Sequence, residues 1–129
     1  MTILVAYVPR PEGQAALDKG IEIATRRNER LVVLNAGPGG AQEDPSVVNG
    51  YEAERVEERL AGLPIQAEFK QFVRGKSAID EIVELVEQLQ ATMLIIGMRK
   101  RSPVGKLLLG SVAQEILFNV PCPVLAVKA

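Results

Sequence analysis

The chain has 129 residues, 47% of them apolar, which suits one ordinary domain with a single buried core. Its net charge of −1 supplies no overall basic field of the kind a duplex-binding domain carries, so any anion binding has to be local. The absence of histidine removes the commonest general base, the commonest zinc ligand and every Ser-His or Cys-His nucleophile pair, and the lone Cys122 excludes an internal disulfide.

In chain order, "ILVAYV" (3–8) reads as a first strand, with Tyr7 as core or site wall. A helix follows, with Pro11 in its opening turn, Leu17, Ile21 and Ala24 on its core face, Asp18, Lys19 and Glu22 on its polar side, and the basic "TRRNER" at its end. "LVVLNA" (31–36) is the second strand and "GPGGAQEDPS" the longest loop. The next helix is expected to start at Asp44 and Pro45, to carry Ala53, Val56, Leu60 and Leu63, and to stop near Gly62. "IQAEFKQFV" (65–73) sets Ile65, Ala67, Phe69 and Val73 on one side and Gln66, Glu68 and Lys70 on the other, as a half-exposed edge strand does. Ser77 with Asp80 resembles a capping box opening a third helix. Its core stripe is Ile79, Ile82, Val83, Val86 and Leu89, and its solvated acidic face Asp80, Glu81, Glu84 and Glu87. "MLIIGM" (93–98) is a buried strand; Ser111 and Gln114 have capping-box spacing for a last helix, and "VLAVK" (124–128) closes the chain as a strand. Cys122, between Pro121 and Pro123, packs as a small hydrophobe at the entry to that strand.

Continuous apolar strands alternating with helices predict one α/β domain spanning 1–129, with an open parallel sheet and helices on both faces. Ligands in such folds sit beyond the carboxyl ends of the strands, where strand order reverses, so the loops after strands one, two and four are the ones to inspect. No stretch reaches the roughly 20 apolar residues of a membrane span, and the opening lacks the marks of a signal peptide; a cytoplasmic protein is expected.

The loop after strand four, "GMRKRSPVGKLLLGS" (97–111), carries Arg99, Lys100, Arg101 and Lys106 between Gly97 and Gly110. One reading is an anion site: the first N–H groups of the last helix lack intrahelical partners, and the helix dipole favours negative charge there. The other is plain loop chemistry, in which Ser111 caps the helix, Gly97 relieves crowding at a strand end and the cations serve solubility. The segment is not a Walker A loop, because "GKLLLGS" lacks the Gly-Lys-Ser/Thr ending.

The stretch "GMRKRSPVGKLLLGSVAQEILFNVPCPVLAVK" resembles the carboxyl-terminal signature of the universal stress protein family. The resemblance implies a Rossmann-like fold of the adenine nucleotide alpha hydrolase type, with strand order 3-2-1-4-5. Members that bind ATP carry Gly, two residues, Gly, nine residues, then Gly-Ser or Gly-Thr; Gly97 matches the first glycine, Gly110 the third and Ser111 the hydroxyl residue. Lys100 stands in place of the second glycine, where its side chain either blocks phosphate or offers it an ammonium. Val8 stands where such relatives have an aspartate, and Ala36 aligns with an apolar position against adenine. The candidate binding set is Val8, Ala36, Gly97, Lys100, Gly110, Ser111 and Val112.

The resemblance thus implies a regulatory module for ATP or a related adenine nucleotide, without fast turnover. The alternative is a dimeric stress protein that binds no nucleotide and acts through protein partners. The missing histidine and the absence of a carboxylate cluster near the loop count against a phosphohydrolase, and "RKR" without interleaved aromatics counts against nucleic acid. "VLAVK" has no internal proline or charge to discourage edge pairing, so a homodimer through Val124–Val127 is expected, as the resemblance also implies.

Overall fold

The computed structural model describes residues 1–40, 45–99 and 111–129. Asp44, Lys100, Arg101, Lys106 and Gly110 lie outside the described residues. Five strands, β1 (Thr2–Ala6), β2 (Arg30–Gly37), β3 (Ala67–Val73), β4 (Met93–Met98) and β5 (Val124–Lys128), alternate with four helices among the described residues, α1 (Pro11–Arg27), α2 (Gly50–Ala61), α3 (Ala78–Leu89) and α4 (Ser111–Asn119). Every strand pair is parallel, and the order is β3-β2-β1-β4-β5. Val5 at the centre pairs with Val33 on one side and Ile95 on the other, and Ile95 pairs with Leu125.

Both faces of the sheet are covered, which is why the central strands read as unbroken apolar runs. Ile3, Val5, Leu31, Val33 and Ile95 pack with Ala16, Leu17 and Ala24 of α1 and Val56 and Leu60 of α2. Leu4, Val32, Leu34, Leu94 and Ile96 pack with Ile82, Leu85 and Val86 of α3 and Ile116 of α4. Each such side chain removed from water contributes about 1.5–3 kcal/mol. Cys122 is half-buried against the second cluster, and burial pushes its thiol pKa up, as expected of a packing residue.

α1 opens with Pro11 in its first turn and ends at Asn28, whose left-handed backbone (φ 52°) lets its N–H reach the Ala24 and Thr25 carbonyls. Its buried side is lined by Gly13, Ala16, Gly20 and Ala24, small residues that let it lie close to the sheet. A Cβ at Gly20 would run into a methyl of Val5.

Five sequence expectations shift. β1 ends at Ala6 rather than Val8, although the Tyr7 N–H still donates to the Leu34 carbonyl at 2.8 Å. β3 begins at Ala67, two residues after the expected start, and Val73 at its end is 43% exposed, not turned inward.

α2 starts at Gly50 and not at Asp44 or Pro45. Asn49 supplies its cap, its side chain accepting the Glu52 N–H, and Asn35 holds the chain just before it in a non-helical path. Asn35 is fully buried. Its Nδ2 donates to the Tyr7 and Ser46 carbonyls at 2.9 and 2.8 Å, and its Oδ1 accepts the Val48 N–H at 2.9 Å and the Gln71 amide at 3.0 Å. One side chain thereby ties the ends of β1, β2 and β3 to the segment that enters α2.

In α3 the Ser77 hydroxyl accepts the Asp80 N–H as expected, but Glu81, read as part of a solvated face, is only 1% exposed. Arg74 accounts for it: its guanidinium grips the carboxylate with two hydrogen bonds of 2.8 and 2.9 Å and lies 4.1 Å from the Phe72 ring. A buried carboxylate is tolerable when a bidentate partner satisfies both oxygens.

Two variants probe this packing. Gly20→Ala gains about 1 kcal/mol of helix propensity but forces overpacking against stiff Val5 at a cost of about 1–3 kcal/mol, so a net loss is expected in urea denaturation, relieved when Val5→Ala is added. Asn35→Asp replaces a donor facing two carbonyls with an acceptor and should cost about 3 kcal/mol or more. A loss below about 1 kcal/mol would show that the Asn35 network is not a structural tie.

Candidate functional site

Strand order reverses between β1 and β4, and beyond their carboxyl ends lies a cleft of about 910 Å³. Each of its walls comes from a different element. Ala6, Tyr7 and Val8 continue β1, Ala36 ends β2, and Ile96, Gly97 and Met98 end β4. Ala78 and Ile82 of α3 and Ala113 and Ile116 of α4 supply an apolar side, and Ser111 and Val112 bring the opening turn of α4 to the cleft. Ser46, Arg10, Glu12 and Arg99 complete the lining.

Val8, Ala36, Gly97, Ser111 and Val112, separated in the sequence, therefore line one cavity. Lys100 and Gly110 are outside the described residues. α4 begins at Ser111, and Ser111, Val112 and Ala113 of its first turn line the cleft; first-turn N–H groups have no carbonyl of their own helix to bond.

Gly97 has a packing duty as well. A Cβ there would collide with the backbone carbonyl of Glu12, and a Cβ at Gly13 would collide with that of Val8. The two glycines let the first turn of α1 press against the ends of β1 and β4, which carries Glu12 into the cleft. The Glu12 Oε1 lies 3.6 Å from Nε of Arg99 and 3.9 Å from Nη1 of Arg10, with most of its side chain buried. An acidic residue in a first helical turn is favoured by the dipole, and two guanidiniums add to that preference.

Arg10, Glu12, Ser46, Ile82, Ile96 and Ile116 escaped the sequence reading of the site. Glu12 had a usable signal: it opens the helix that follows strand one, and a parallel sheet puts that opening at the same end as the loop after strand four. Asn35 had none, because a polar residue inside an apolar strand does not reveal which carbonyls it meets.

A smaller groove of about 330 Å³ lies between α1 and α2, lined by Gln14, Glu52, Arg55 and Arg59 over Tyr7. Its groups are largely committed to one another or to the surface. The Gln14 amide donates to the Tyr7 hydroxyl at 2.7 Å, Arg59 pairs with Asp18 at 2.8 Å, and Arg55 stacks on Tyr51. Burial, then the Glu52 charge, raises the Tyr7 pKa, so its phenol stays protonated near neutral pH. The strand-end cleft is larger, more apolar and placed where this topology binds ligands.

Comparison with known proteins agrees with this architecture. The model of the universal stress protein family matches residues 1–128. A universal stress protein of Mycolicibacterium smegmatis is 44% identical over 126 residues, covering 98% of this chain and 96% of the relative. The solved universal stress protein from Archaeoglobus fulgidus superposes with a TM-score of 0.82 at 29% identity, over 99% of this chain and 98% of that one. A universal stress protein solved in complex with cAMP gives a TM-score of 0.71 at 25% identity, over 99% and 96% of the two chains. A matching family model over nearly the whole length, a relative 44% identical over nearly its whole length and a superposable solved fold lead to one conclusion: the chain belongs to the universal stress protein family.

Proposed function

We propose that the chain is a nucleotide-binding module which holds an adenine nucleotide in the cleft beyond β1 and β4 and regulates through occupancy rather than rapid turnover. The observation that carries this reading is one cavity of about 910 Å³ with an apolar side, a helix opening and two guanidiniums. That volume lies in the range of small-molecule sites. The cAMP complex of a relative with the same fold supports the choice of ligand class.

In this reading the base lies against Ala36 and Ile82, and the phosphate meets the N–H groups opening α4, with Arg10 and Arg99 as its cations. Val8 offers the ribose an apolar contact and no hydrogen-bond acceptor, so binding rests on the two ends of the ligand. No helix among the described residues is long and apolar enough to cross a membrane.

Pairing of β5 across a twofold axis is the second part of the proposal. The opposite edge of the sheet, β3, carries Glu68 and Lys70, which discourage edge pairing, whereas β5 has no charge before Lys128. Leu94 donates to the Pro123 carbonyl and Ala129 to that of Met98. The alternation of a strand then turns Leu125 and Val127 toward β4 and the N–H groups of Val124, Ala126 and Lys128 outward.

Calorimetry with nucleotide-free protein and AMP, cAMP or ATP should give saturable one-to-one binding. Ala78→Trp, which fills the cleft from the start of α3, should abolish it with little change in Tm; undiminished binding would place the ligand elsewhere. In sedimentation at micromolar concentration the chain should be a dimer, and Ala126→Pro, which removes an outward N–H and leaves the β4 pairing intact, should be a monomer. A dimer unaffected by that proline would rule out β5 as the interface.

A further inference from the structure

The cleft holds a carboxylate at the place where the proposed ligand brings a negative charge. Glu12 sits between Arg10 and Arg99, close to both and with its side chain largely withdrawn from solvent. A carboxylate with two cationic neighbours is comfortable while the cleft is empty. It becomes a competitor as soon as phosphate oxygens approach the same guanidiniums.

The backbone that carries Glu12 has little room to move. Glu12 belongs to the first turn of α1, its backbone carbonyl abuts Gly97, and the following residue, Gly13, abuts Val8. Any shift of that turn would have to move α1 off the ends of two core strands. The place of Glu12 on the cleft wall is therefore set by the same packing that fixes the fold.

We propose that Glu12 sets the charge preference of the site, disfavouring ATP relative to adenosine monophosphates, cyclic or open, more than the same cleft would without its carboxylate. This rests on the reading of the cleft as a nucleotide site and narrows it to a ligand class. AMP and cAMP bring one phosphorus to the cleft, and its charge can be shared by Arg10, Arg99 and the helix opening. ATP adds two further phosphates, and each added charge that is drawn to Arg10 and Arg99 is repelled by the Glu12 carboxylate between them. The longer the phosphate chain, the larger the penalty.

The experiment measures dissociation constants of adenosine, AMP and ATP, without divalent metal, for wild type, Glu12→Gln and Glu12→Asp. The neutral isostere Glu12→Gln should tighten ATP by about tenfold and AMP by about threefold while leaving adenosine unchanged, because the effect scales with ligand charge. Glu12→Asp keeps the charge and should keep the wild-type preference, which separates charge from packing; thermal unfolding of each variant confirms that it folds. Equal changes for all three ligands, or nucleotide binding with an unaltered AMP-to-ATP ratio in Glu12→Gln, would overturn the inference and leave the nucleotide reading standing. Absence of nucleotide binding in all three proteins would overturn both.

Discussion

The first turn of α1 lies flush against the carboxyl ends of β1 and β4, and two missing side chains make this possible. Gly13 faces the Val8 carbonyl and Gly97 faces that of Glu12, each at a separation that leaves no space for a Cβ. The contact fixes the depth at which α1 sits on the sheet, and small residues along its length, Ala16, Gly20 and Ala24, continue the close approach. It also fixes what the cleft contains. Were α1 displaced outward, Glu12 would leave the guanidiniums of Arg10 and Arg99, and the wall that Val8 forms would move with it. Fold and site share this one steric constraint.

A second tie acts from the other side of the cleft. Asn35 joins the end of β1, through the Tyr7 carbonyl, to Gln71 of β3 and to the segment 46–48. The chain leaving β2 thus returns across the strand ends and delivers Ser46 to the lining before α2 begins. The cleft is therefore shaped by two rigid devices, one steric and one hydrogen-bonded, both anchored in central strands. Ligand-contacting groups mounted on such supports keep their geometry with little ordering cost on binding.

Much of the architecture was legible in the amino-acid sequence, because burial on both faces writes continuous apolar runs such as "LVVLNA" and "MLIIGM", which few other arrangements produce. Ser77 marks a helix start by local chemistry alone. The start of α2 was misread since Asp44-Pro45 carries the local signs of a helix opening while the deciding interaction, Asn35 with the Ser46 and Val48 backbone, is long-range. Glu81 was misread for a different reason: its partner Arg74 is near in sequence, but it precedes the helix and reaches back to it over Phe72, which helical periodicity does not show. Of the candidate site residues, Val8, Ala36, Gly97, Ser111 and Val112 converge on one cleft, whereas Glu12 stayed hidden among ordinary first-turn acids. What a sequence conceals here is the contact between parts of the chain that only the sheet brings together.

The central claim is that the strand-end cleft shaped by α1, and not the groove between α1 and α2, receives an adenine nucleotide. Titration of AMP into isotope-labelled protein, followed by amide chemical shifts, tests it residue by residue. The account predicts saturable shifts concentrated at Ala36, Gly97, Arg99, Ser111 and Val112. Shifts confined to Gln14, Glu52, Arg55 and Arg59, or no shifts at millimolar AMP, would contradict it.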